Sequence, residues 1–126
     1  MRIRELLRLE QSMSSLDVAS SYAEELVRRE RRVTGKLDTA MQNVGTKAGV
    51  SKWAIWGLWH GRRKTTTEEV VGRLRGALIR QLEGEIRHLE HELTILKATG
   101  VRPDSDEILA VASSLAKARQ VLGLPS

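Results

Sequence analysis

Cysteine is absent from this 126-residue chain, which excludes disulfides, thiolate metal sites and cysteine nucleophiles. No stretch approaches the roughly eighteen consecutive apolar residues of a membrane span, so no membrane partner is expected. The opening "MRIRELLRLEQSMSS" is too charged for a signal peptide, and a cytoplasmic protein is expected. Strand signals are missing as well, since no run alternates apolar and polar residues with β-branched content. Catalytic signatures are equally sparse. There is no Gly-rich phosphate loop, no HExxH, and no serine or lysine set beside a base in a known motif. Glu85, His88 and His91 form one E-x-x-H with a further histidine, but the second such motif that a bundled metal pair requires is lacking. Both histidines read as polar residues flanking an apolar seam. The chain is therefore expected to be no enzyme and to hold no metal or cofactor.

What is present is basic charge, unevenly placed. Residues 1 to 64 carry 13 Lys and Arg against 7 Asp and Glu, a net +6, whereas residues 65 to 126 carry 8 against 9, a net −1. The overall +5 points to a polyanionic partner without saying which. The pattern predicts an all-α fold. "SSYAEELVRRERRV", residues 20–33, is amphipathic with Tyr22, Leu26 and Val33 inward, and Gly35 stands where a C-terminal cap would. "KLDTAMQNVGTKAG" predicts a second helix with Leu37, Ala40, Met41, Val44 and Ala48 inward. Ser51 can cap a third helix that Gly61 ends. Thr65 with Glu68, and Thr66 with Glu69, have capping-box spacing before a long helix running to about Lys97. Gly72, Gly76 and Gly84 are places where it could bend. Asp104 and Glu107, again at capping-box spacing, open a last helix over roughly Ser105 to Leu122.

All three tryptophans lie within "NVGTKAGVSKWAIWGLWHGRRK", at Trp53, Trp56 and Trp59. With Gly49 as a turn, Val44 and Gly45 precede it, Ala48 and Val50 flank it, and Ile55 and Leu58 follow six and nine residues on. That is the spacing of two helices crossing at a short turn: Gly45 is small at the crossing, Gly49 is free to take positive φ, and Ile55 and Leu58 lock the second helix onto the first. The pattern resembles the λ-repressor/Cro-like class of helix-turn-helix DNA-binding domains over residues 20–82, including the "LWHG" and the capped helix that follow. Alanine is commoner in that class at the position of Gly45. Glycine there is expected to cost about 0.5–1 kcal/mol of helix stability without blocking the packing.

The resemblance implies that the helix beginning at Ser51 enters the major groove of double-stranded DNA. Ser51 and Lys52 would donate to phosphate or to guanine O6/N7, and Trp53 and Trp56 would face outward, Trp56 against a thymine methyl or a sugar. In a competing reading, Trp53 and Trp56 bury against the N-terminal segment or a second subunit. Trp59 is expected to close the core. His60 would contact a backbone phosphate or cap the helix, and Arg62, Arg63 and Lys64 would reach phosphates. Thr46 and Lys47 complete the candidate DNA contacts.

Leu82, Ile86, Leu89, Leu93 and Leu96 are spaced 4, 3, 4, 3, the seam of a coiled coil, with charged residues around it. Two heptads are too few to dimerise unaided. The last helix offers Ile108, Leu109, Ala112, Leu115, Ala116 and Leu122 to the same seam in an intramolecular hairpin, and paired hairpins from two chains could combine both uses. Three segments are expected: an N-terminal segment over 1–19, a helix-turn-helix DNA-binding domain over 20–82, and a helical hairpin for oligomerisation over 83–126. The expected function is a sequence-specific DNA-binding protein of bacterial or phage type, a homodimeric transcriptional regulator associated with the nucleoid when bound. One alternative is a phage-type small terminase subunit, a DNA-binding head on a ring of many chains. The other is an adaptor whose basic head docks an acidic protein partner.

Overall fold

The computed structural model describes residues 14–124, which form α-helices and no strand. In chain order these are α1 (Ser15–Thr34), α2 (Leu37–Ala48), α3 (Lys52–Trp59), α4 (Glu68–Ala98) and α5 (Asp106–Val121). No helix among the described residues is long and apolar enough to cross a membrane. The chain divides into two compact units at Leu78/Ile79, inside α4, a few residues before the boundary expected at 82. Most of the expected 1–19 segment lies outside the described residues, but its last part belongs to α1.

In the first unit, α1 starts earlier than its amphipathic stretch suggests. The Ser14 hydroxyl accepts from the Asp17 N–H and caps the helix, and Asp17 suits the positive end of the helix dipole. One stripe, Val18, Ala19, Tyr22, Ala23, Leu26, Val27 and Glu30, is buried. Val33 was expected to join it and does not, being 83% exposed. It sits one turn past Glu30, where nothing covers the stripe any longer. Against α1 pack α2, through Ala40, Met41, Val44 and Ala48, and α3, through Ala54, Ile55 and Leu58. Leu37 is only half-buried. Val71, Leu74, Ala77 and Leu78 of α4 are also buried.

Helix ends follow the glycines and miss the capping boxes by one or two residues. Gly35 and Gly49 both close their helices in the left-handed region, at φ 75° and 70°. The cap of α4 is Thr67, whose hydroxyl accepts from the Val70 N–H, and not Thr65 or Thr66. The cap of α5 is Ser105, accepting from Ile108, and not Asp104. Through Gly72, Gly76 and Gly84, α4 remains one helix.

Gly45 is more constrained than its resemblance to an alanine position implies. A Cβ there would stand 2.7 Å from the Val50 carbonyl oxygen and 3.3 Å from the Lys52 nitrogen, both backbone atoms of the turn into α3. At Gly72 the nearest atom is a flexible Arg75 nitrogen at 3.8 Å. Alanine normally stabilises a helix interior by about 1 kcal/mol over glycine. Gly72→Ala should therefore raise the melting temperature, whereas Gly45→Ala should lower it, because overpacking against backbone costs up to about 3 kcal/mol and outweighs propensity. Thermal melts of the two variants check this, and a rise for both would mean the turn can yield.

In the second unit, Leu82 and Ile86 of α4 and Ile108 and Leu115 of α5 are buried. Arg119 of α5 bonds Glu90 of α4 at 3.1 Å. Ala112, Ala116 and Leu122 are half-buried. Leu109, expected to face the seam, is 55% exposed: it follows the buried Ile108 by one residue and so turns about 100° away from it.

Candidate nucleic-acid interface

Eight residues make α3 too short to persist alone, so its side chains stand where α1 and α2 hold them. The Ser51 hydroxyl accepts from the Ala54 N–H at 3.1 Å and starts the helix. Gly49 reverses the chain, and Val50 N–H bonds the Gly45 carbonyl at 2.9 Å. With Ile55 and Leu58 fully inward, Trp53 is 73% and Trp56 37% exposed, and Trp59 is half-buried. Trp59 thus only partly closes the core. The His60 ring lies against Trp56, with centroids 4.6 Å apart.

Several polar groups expected at a ligand are bonded within the chain. Lys52 pairs with Asp38 at 2.7 Å and stands 5.9 Å from the Trp53 ring centre. Lys47 pairs with Glu30 at 2.8 Å, and the Thr46 hydroxyl donates to the Gln42 carbonyl. Among the described residues Glu30 is the buried charged one, bonded also by Asn43 at 3.1 Å, so Lys47 serves the α1–α2 contact. Arg63 folds back over Gly57, its side-chain carbons filling the space a Cβ would take, and donates to the Thr65 carbonyl. Arg62 and Lys64, by contrast, are exposed and make no ion pair among the described residues.

Asp38, Glu30 and Arg73 escaped the sequence reading. Arg73 of α4 donates to the Gly49 carbonyl and pairs with Glu69 one turn back, so it fastens the α2–α3 turn. Its one legible signal was the Glu69–Arg73 spacing of four.

The seam residues split. Leu82 and Ile86 are buried within the chain itself, while Leu89, Leu93 and Leu96 are half-buried. His88 is exposed beside Glu92 at 3.9 Å, and among the described residues no cluster of acidic residues and histidines could hold a metal ion. The site is thus a short helix with an aromatic outer face, fastened at its turn and followed by free cationic side chains. No family model, no curated protein and no solved structure matches the chain.

Proposed function

We propose that the chain is a sequence-specific double-stranded DNA-binding protein of helix-turn-helix type, acting as a dimeric transcriptional regulator. One observation carries the reading: α2 and α3 cross so closely at Gly45 that a Cβ would strike the turn, while the far side of α3 is left uncovered. A short helix supported in this way, with Arg62 and Lys64 just beyond it, suits insertion into a major groove with phosphate contacts alongside. The second unit supports pairing of chains, since Leu89, Leu93 and Leu96 keep part of an apolar seam uncovered where paired helical hairpins could meet.

Selection of bound duplexes from random DNA, followed by titration at several salt concentrations, tests the reading. Arg62→Ala and Lys64→Ala should each reduce the slope of log K against log salt by about 0.9, with equal loss on the selected site and on scrambled DNA. Arg63→Ala should instead lower the melting temperature, because it uncovers Gly57. A chain that enriches no duplex and binds none at low salt is not a DNA-binding protein. Mass in solution separates two chains, as for a regulator, from the ring of a terminase subunit.

A further inference from the structure

Trp53, Trp56 and His60 occupy positions i, i+3 and i+7 of the α3 region, within about 60° of one another at 100° per residue, opposite the buried Ile55 and Leu58. On α2 and at the start of α3 the polar groups beside the stripe are engaged: Lys52 by Asp38, Lys47 by Glu30, the Ser51 hydroxyl by the cap and the Thr46 hydroxyl by the Gln42 carbonyl. What faces outward is two indole rings and an imidazole. None of them can make the bidentate pair by which Arg, Asn or Gln selects guanine or adenine. Large aromatic surface left in water calls for an apolar counterpart. In the major groove that counterpart is the methyl group on C5 of a pyrimidine. The charge beside the stripe agrees with such an occupant, since Arg62 and Lys64 follow α3 without ion-pair partners among the described residues and complement flanking phosphates.

We propose that the Trp53–Trp56–His60 stripe reads pyrimidine C5-methyl groups in the major groove of double-stranded DNA. This rests on the DNA-binding reading above. The methyl belongs to thymine or to 5-methylcytosine, and both present it at the same place in the groove. The ion pair with Asp38 holds the Lys52 ammonium beside the stripe, 5.9 Å from the Trp53 ring centre, and partly neutralises its charge there. Cation–π proximity of Lys52 to Trp53 further favours one placement of that ring.

The test uses the full chain and a duplex selected from random DNA. In one arm deoxyuridine replaces each thymine of the site in turn, and in the other 5-methylcytosine replaces each cytosine. Burial of one methyl group is worth about fourfold in affinity, so removal of a read methyl should weaken binding about fourfold. Trp53→Ala, at 73% exposure, should fold normally, Trp56→Ala, at 37%, should fold with a lowered melting temperature, and both should lose that sensitivity. Loss in the deoxyuridine arm assigns the methyl to thymine. Gain in the 5-methylcytosine arm with no effect of deoxyuridine assigns it to the modified base. Indifference in both arms, with tight binding to the selected duplex retained, overturns methyl reading and leaves DNA binding standing. Methyl sensitivity that survives in both tryptophan variants also overturns it. If no duplex is enriched, both readings fall; if Trp53→Ala changes only the solution mass while the duplex stays bound, the stripe is a protein contact and methyl reading alone falls.

Discussion

Leu58→Ala should lower the stability of the first unit by about 2–5 kcal/mol, while Trp53→Ala, five residues earlier on the same helix, should leave it nearly unchanged. Leu58 is 1% exposed and Trp53 73%. The difference is one of direction and not of size, since tryptophan is the larger apolar group. Truncating Leu58 removes contacts from a packed core and leaves a cavity that α3 must collapse into or vacate. Eight residues of α3 have little helical stability of their own, so a shifted α3 also loses the geometry of the outer stripe. Chemical denaturation of both variants, followed by DNA titration, checks the assignment. Equal destabilisation by the two changes would mean that the exposed stripe is buried in solution, by a second copy or another segment. Trp59→Ala should fall between them, because its ring is only half-buried.

Much of this arrangement was legible in residue order, and the misses have physical causes. Gly35 and Gly49 announced helix ends because only glycine takes positive φ without strain, and both do. The inward positions of α2 and α3, apart from the half-buried Leu37 and Trp59, followed from the 3.6-residue period combined with the turn at Gly49. Capping boxes misled because "TTTEE" offers three hydroxyls in a row, and spacing to a glutamate cannot choose among them. The Thr67 hydroxyl reaches a backbone N–H with no glutamate at the reciprocal position. The same holds at Ser105, whose hydroxyl displaced the neighbouring Asp104 as cap. Val33 failed because periodicity gives a direction and says nothing of where the covering helix ends. Glu30 was missed for the opposite reason: a carboxylate inside an apolar stripe reads as a surface residue until Lys47 and Asn43, from the next helix, are seen to bond it. For the same reason Lys47 and Lys52 looked free. Charge is legible in a sequence, but pairing across seventeen or fourteen residues is not.

On the proposed dimer, changing Leu89 and Leu93 together to Asp should abolish pairing of chains through the second unit. Both are half-buried in the single chain, so each already covers part of its surface and has more left to cover. Burying even one carboxylate in an apolar seam without a partner is prohibitive, and two on one stripe of α4 would face their counterparts across a two-fold interface. Leu82 and Ile86 are poor choices for the same purpose, because they are buried within the chain and their substitution would unfold the unit before it reported on assembly. Sedimentation should show the double variant at half the wild-type mass, with its helical circular dichroism retained, because the buried Leu82, Ile86, Ile108 and Leu115 are untouched. Its binding to a two-fold symmetric selected site should fall steeply, because each chain then holds one half-site alone, while binding to an isolated half-site should match wild type. Unchanged mass in a folded double variant would remove the seam as the interface. A wild-type chain that already sediments as a monomer would remove the dimer and leave the α3 stripe to act on a single half-site.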